Sequence, residues 1–449
     1  MRFRIEKDEL GELKIPFEAY YGIHTLRSRN LFIVSKRPIC RQMIKALALC
    51  KKAAAYSNFK AGLISKEKKD AISLSCDEIL NGRLHGQFIV DAVQGGAGTA
   101  MNMNVNEVVA NRANEMMGGE KGVYNFVHPL DDVNKNQSAN DVTITAGKIS
   151  AVRLTKKLLV EMRKLSGSLK EKAKEMKGVF FNSKTHLKNN IPLKYSDFFT
   201  AASLAVDRHI MELERIVEIL YELPLGGGAI GTSKEINEKY VKSVCLYLAE
   251  FSGVPYKQAT NLFDNQTNID DFLLLSSEVV NFSSVIQKLV RDLLLMSTAY
   301  GLLKIPSTFP GSSSIPEKEN PVILEMVEQI VMYVNGNNLT ITEAIQGGEM
   351  QMNTNIPIVL VCLFENLNFI RRGIRSLRES VLTDLTFDKG APAIDDLPLI
   401  ALFQNEIGYE EALKIIREAK DTKSSLFEAL KKHPKIKAEK LEKLIKEIK

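Results

Sequence analysis

The chain has 449 residues, 45% of them hydrophobic and 25% charged, with a formal net charge of +6. That length allows a large buried core over about two to four domains, and the composition is that of a soluble globular protein. No run of eighteen apolar residues is present, so no transmembrane helix is expected.

The start, Met1 to Lys7, lacks the apolar core of a signal peptide. Residues 1 to about 30 are mixed and charged, with Pro16 and the segment Glu18-Ala19-Tyr20-Tyr21-Gly22-Ile23-His24-Thr25-Leu26-Arg27. Residues 40–57 and 66–81 place apolar side chains at helical spacing, for example Met43, Leu47, Cys50 and Ala54. Gln94-Gly95-Gly96-Ala97-Gly98-Thr99 then opens a helix expected from about Asn102. Such a turn is either an anion cradle of backbone N–H groups and a hydroxyl or a Gly-rich loop with an N-capping threonine.

The stretch from His128 to Asp141 is polar and irregular, and a long helical pattern follows from Val152 to about Lys177. Asn182 to Pro192 contains the lone His186. Leu223 to Thr232 is a Gly-rich turn without the lysine of a phosphate-binding loop, which excludes nucleotide binding of that kind. From Asp271, the residues Phe272, Leu275, Val279, Phe282, Ile286, Leu289, Leu293, Met296 and Tyr300 recur at steps of three and four. They form a coiled-coil-like seam on a helix roughly 45 Å long. Leu273, Leu274, Val280 and Val285 lie off that seam, so more than one face should be buried, as in a bundle completed by other subunits.

Gly311 to Pro321 separates this helix from apolar helical patterns at Val322 to Val334 and Val359 to Ile370. Prolines 306, 310, 316 and 321 forbid a continuous helix through it. Three serines, Lys318 and Asn320 make it either a solvated connection or a loop that closes over a substrate. Beyond Gly390 the pattern is of two or three short amphipathic helices. The lysines between 431 and 449 alternate with Glu439, Glu442 and Glu447 at helical spacing, a solvated helix face rather than a nucleic-acid surface. A modest positive field suits a dianionic small molecule. The five cysteines are scattered, which fits reduced core cysteines in a cytoplasmic protein, and no Cys/His cluster has metal-ligand spacing.

The loop wording Gly311-Ser312-Ser313 through Pro316, Lys318, Asn320 and Pro321 resembles the signature of the aspartase/fumarase superfamily, with Ile315 in place of a usual methionine. Gln94 to Thr99 and Glu18 to Arg27 are similar to the aspartase wording in particular. His128 to Asp141, Asn182 to Pro192, Leu223 to Thr232 and Ile407 to Ala412 resemble four further regions of that family. Departures are Leu130 and Asp132 at the surface dicarboxylate site attributed to fumarases, and Ala139 in place of a hydroxyl residue. Lys188 and Asn189 stand where Gln and Asp are usual, and Leu and Tyr at 289–300 where arginines are usual.

The resemblance spans about residues 3 to 430. It implies a mainly α, three-domain fold: an N-terminal domain (1–137), a central long-helix bundle (138–389) and a small helical C-terminal domain (390–449). It also implies a homotetramer with a twenty-helix core and active sites built from three subunits. The implied reaction removes a group from Cα and a proton from Cβ of a succinate-like dicarboxylate. Thr99, Ser138 and Ser313 are the implied donors to the carboxylate that gathers charge. Lys318 and Asn320, with Thr185 beside them, hold the other carboxylate, and Asn140 the leaving amino or hydroxyl group. Ser312 matches the family's base. His186 is the easier base on pKa grounds, but by resemblance it contacts the substrate and pairs with Glu325.

No cofactor, metal, nucleic acid or membrane partner is expected. The implied activity is that of an aspartate ammonia-lyase. Fumarate hydratase, or a lyase for another dicarboxylate in view of Ala139, Lys188 and Asn189, is the alternative. A non-catalytic structural relative is opposed by the joint presence of Ser312, Lys318, Asn320, His186 and Glu325.

Overall fold

The computed structural model describes residues 2–308, 311–315, 318–388 and 397–448; Pro310, Pro316 and the Gly390-to-Ala393 segment lie outside it. The chain is mainly helical. It opens with an antiparallel pair, β1 (Phe3–Asp8) and β2 (Gly11–Pro16). Then come α1 (Ile23–Leu31), α2 (Arg41–Lys60), α3 (Lys66–Leu80), α4 (Thr99–Met116) and α5 (Ala139–Glu175). A hairpin of β3 (Phe180–Thr185) and β4 (Lys188–Lys194) leads into α6 (Tyr195–Ile219). The parallel pair β5 (Glu222–Leu223) and β6 (Lys257–Gln258) brackets α7 (Glu238–Ser252), followed by α8 (Leu262–Thr267) and α9 (Asp270–Leu294). β7 (Leu303–Lys304) pairs with β8 (Thr386–Phe387) across α10 (Val322–Gln346) and α11 (Ile356–Leu377). The tail holds α12 (Gln404–Ile407), α13 (Tyr409–Thr422), α14 (Leu426–Lys431) and α15 (Ala438–Ile448).

Two helices start earlier than their apolar pattern. α4 begins at Thr99 because Gly98, at φ +88, turns the chain directly into it. Thr99 is therefore the first helical residue and not the cap. α5 begins at Ala139 because Ser138 and Asp141 form a capping pair: the Asp141 carboxylate accepts from the Ser138 N–H at 2.9 Å.

The chain forms two compact units. The first comprises Met1–Leu159, Met211–Ser283 and Val331–Arg371; the second comprises Val160–Ile210, Ser284–Ile330 and Arg372–Lys449. Their boundary falls within α5, α6, α9, α10 and α11. In the first unit α2 packs on α3, α4 and α7, burying Met43, Leu47, Cys50 and Ala54. A Cβ on Gly147 of α5 would lie 2.7 Å from Leu360 and 3.1 Å from Phe272, so only glycine admits α9 and α11 this close. Beside it the Lys148 ammonium, with no solvent exposure, meets Asp271 at 2.5 Å and donates to Asn265 and the Glu222 carbonyl. A buried ion satisfied on several sides is tolerable where an unpaired one is not.

In the second unit a Cβ on Gly373 of α11 would meet Ile330 of α10 at 2.9 Å. The C-terminal helices enclose their own core of Phe403, Ile407, Ile415, Leu430 and Leu441. All five cysteines are free, with Cys50, Cys76, Cys245 and Cys362 buried.

The α9 seam is buried from Phe272 through Met296. Off the seam, Leu274 is exposed and Leu273, Val280 and Val285 are half-buried within the single chain. By length and composition Asp270–Ala299 is apolar enough to cross a membrane, which counting unbroken apolar runs does not reveal. Within the single chain its seam is buried and its other flank is only partly covered.

Candidate active site

The expected site residues are divided between the units: Thr99, Ser138 and Asn140 lie in the first, the remainder in the second. In the first unit the Gly-rich loop doubles back tightly, with Gly96, Ala97 and Gly98 all at positive φ. A Cβ on Gly98 would lie 2.6 Å from the Thr143 side chain, so the loop touches the early turns of α5. This seats the residue before α4 against Thr143 of α5. The Thr99 hydroxyl donates to the Gly96 carbonyl at 2.7 Å and remains exposed. The Ser138 hydroxyl accepts from the Asn140 N–H at 3.3 Å, and the Asn140 amide donates to the Ala229 carbonyl at 2.8 Å.

Two buried ionisable groups hold this arrangement, and the sequence reading passed over both. Lys51, with no exposure, donates to Asn102 (2.7 Å), Asn134 (2.9 Å) and Gln137 (2.9 Å). It thereby ties the first turn of α4 to the segment that ends at Ser138. Burial lowers its ammonium to about 7. Asp141 accepts from Ser138 and also from the Gly226 and Gly228 N–H groups at 3.1 and 3.2 Å, fixing α5 to the Gly-rich turn after β5. Burial raises its carboxyl to about 7. The available signals were a lysine in phase with Leu47 and Ala54 on a buried helix face, and a Ser-x-x-Asp box before an apolar run. Asp132 is also structural: nearly buried, it is clasped by Lys68 at 2.8 Å and accepts from the His128 N–H.

In the second unit Thr185 and His186 stand at the exposed turn of the β3–β4 hairpin. The Thr185 hydroxyl accepts from Asn190 at 2.6 Å, and Lys184 donates to the Asn189 side chain. Ser312 closes a turn with Ile315: its Oγ accepts from the Ile315 N–H at 2.9 Å and donates to the Ile315 carbonyl at 3.1 Å. Ser313 and Lys318 are exposed, and Asn320 is half-buried just before α10. Glu325 is exposed in the first turn of α10, its N–H bonded to the Pro321 carbonyl at 3.2 Å. Among the described residues His186 and Glu325 make no pair with each other within one chain, and no group of three His, Cys, Asp or Glu side chains could hold a metal ion.

A family model described as "Lyase" matches residues 11–336. The aspartate ammonia-lyase of Bacillus subtilis (strain 168) is 37% identical over 447 residues, covering 98% of this chain and 94% of that one. The chain belongs to the aspartase/fumarase superfamily. The class II fumarate hydratase of Neisseria meningitidis is 34% identical, covering 95% of this chain and 94% of its own. The superfamily's fold is shared closely: the crystal structure of a Brucella melitensis fumarate lyase/delta crystallin bound to cobalt superposes with a TM-score of 0.93, at 31% identity and 99% coverage of both chains. Within the superfamily this protein is a lyase.

The chemistry open to these groups is polar and proton-coupled. Hydroxyls and amides at helix starts present donors to an anion. In the second unit, taken by itself, Lys318 is an accessible point charge and Ser312 a hydroxyl facing a backbone N–H.

Proposed function

We propose that this lyase is an aspartate ammonia-lyase, releasing ammonia from L-aspartate to give fumarate in a reversible anti-elimination. The observation that carries the choice is the joint likeness of Glu18 to Arg27 and Gln94 to Thr99 to aspartase wording, in a chain 37% identical to the B. subtilis enzyme along nearly its whole length. In this reading Ser312 first gives its own proton to solvent; the substrate's Cβ–H bond then breaks and that proton passes to the Ser312 oxyanion. The electron pair forms the double bond as the C–N bond breaks, and ammonia leaves from its ammonium form.

A serine oxyanion needs strong stabilisation. The Ile315 N–H that already donates to Ser312 supports that role, provided the hydroxyl releases the Ile315 carbonyl. Charge gathering on the adjacent carboxylate is met by Thr99, Ser138 and Ser313. Lys318, Asn320 and Thr185 hold the other carboxylate, and Asn140 the amino group. His186 contacts the substrate and pairs with Glu325 of another subunit, in keeping with their lack of contact inside one chain. The partly uncovered flank of α9 supports a homotetramer. With it go the three-domain division at 137/138 and 389/390 and a cytoplasmic location, without nucleic-acid or membrane partners.

The second reading, fumarate hydratase, is favoured by the 34% identity to the N. meningitidis enzyme and uses the same donors to expel water. Absorbance of fumarate formed by the purified protein separates the two. Faster formation from L-aspartate supports the ammonia-lyase; faster formation from L-malate overturns it.

A further inference from the structure

The β3–β4 hairpin turns on just two residues, His186 at φ +51 and Leu187 at φ +62. Two-residue turns of this hand are the province of Asn-Gly and Gly-Gly pairs, because both centres need positive φ. A leucine there is disfavoured by its own Cβ. Packing of its side chain does not hold it, for Leu187 is 63% exposed. What does reach the turn is Tyr300, whose hydroxyl donates to the Leu187 carbonyl at 2.9 Å.

The Tyr300 ring is itself fixed. It follows the π-helical turn Leu295–Ala299, its N–H bonds the Leu295 carbonyl at 3.0 Å, and the Lys184 ammonium lies 4.5 Å from its ring centroid. His186, Leu187 and Tyr300 line one cavity of about 380 Å³, floored by Phe181, Leu193 and Met296.

We propose that Tyr300 is a positioning residue for His186: its hydroxyl latches the Leu187 carbonyl and so fixes which way the imidazole is presented. The inference rests on the reading of His186 as a substrate contact. It adds the group that orients that contact, at a position where this chain carries a tyrosine.

Tyr300→Phe keeps the ring and its Lys184 neighbour and removes only the latch. In the full-length protein this variant should lower kcat for L-aspartate roughly three- to tenfold, the scale of one lost hydrogen bond, with KM changed less than about twofold. The His186 ring signals in an NMR spectrum, assigned through His186→Gln, should shift. Leu187→Gly removes the backbone penalty while keeping the carbonyl, so Tyr300→Phe combined with Leu187→Gly should recover most of the lost kcat. Wild-type kcat and unmoved His186 signals in Tyr300→Phe, or a double variant as impaired as the single one, overturn the latch. Should the wild-type protein form fumarate from neither L-aspartate nor L-malate, the functional reading falls by itself. The His186 signals, recorded without substrate, then decide the latch alone: a shift supports it and no shift overturns it.

Discussion

Lys51 donates to the Gln137 side-chain oxygen at 2.9 Å, from a position with no solvent exposure, one residue away from the start of the Ser138–Asp141 capping pair. Its three hydrogen-bond partners are all neutral side-chain oxygens, and the buried Asp141 carboxyl is near enough to act on it. The arrangement gives the α4 and α5 starts a common anchor.

Lys51→Met should therefore lower the unfolding free energy by roughly 2–4 kcal/mol, since the oxygens it served lose their donor. The loss should depend on pH. The folded-state pKa of Lys51 is depressed to about 7, below the usual lysine value of about 10.4. Between these values the unfolded chain binds the proton and the folded one does not. Wild-type stability from this group is thus fully present above about pH 10.4, falls as pH drops from there to about 7, and is flat below. Thermal unfolding at pH 7 and pH 9 should show the gap between wild type and variant widening at the higher pH; a constant gap would remove Lys51 titration from the account.

Ser312→Ala should lower turnover by roughly a hundredfold or more, the scale of losing a positioned general base. Folding should be little affected, because among the described residues the hydroxyl bonds within its own loop, to Ile315. Near-normal turnover in a stable variant would transfer the role of base to His186.

Lys318→Met should chiefly abolish substrate binding. Lys318 is the cation of the Ser312-to-Asn320 loop, and a desolvated charge–carboxylate contact is typically worth about 2–5 kcal/mol. Saturation kinetics with L-aspartate give the test, and wild-type KM would reject the carboxylate assignment.

Ala139→Thr should raise kcat/KM for L-aspartate by roughly threefold to a hundredfold, the value of one hydrogen bond to a charged group at about 1–3 kcal/mol. Ala139 is the half-buried first residue of α5, between Ser138 and Asn140. A fall in activity would mean that the methyl makes room for a bulkier substrate, which a panel of 2- and 3-substituted succinates on the unmodified protein would identify.

The long helices were legible because their apolar spacing is dictated by burial: Phe272 through Met296 announced the α9 seam, and each is buried. Helix starts were less so, because they are set by single residues outside that pattern. Gly98 moved the start of α4 to Thr99, and the Ser138–Asp141 pair moved the start of α5 to Ala139. The loop bearing Ser312 stood out by its wording, but with three serines in a row the wording does not say which hydroxyl closes the turn on Ile315. Lys51 and Asp141 were missed for a physical reason. Lysine and aspartate count as surface residues in any periodicity argument, and only the three-dimensional meeting of Asn102, Asn134, Gln137 and the Gly226–Gly228 backbone makes their burial affordable. The His186–Leu187 turn likewise violates the usual residue preference for its conformation, as strained functional segments do.

The closed Ser312 turn also bears on chemical labelling. A serine whose proton is directed at a backbone carbonyl, with no imidazole against its oxygen among the described residues of the chain, is not a primed nucleophile. Fluorophosphonate probes that mark hydrolase serines should leave this one unmodified in the resting protein. In mixtures profiled by serine-reactive chemistry, the enzyme would go unseen even when abundant and active.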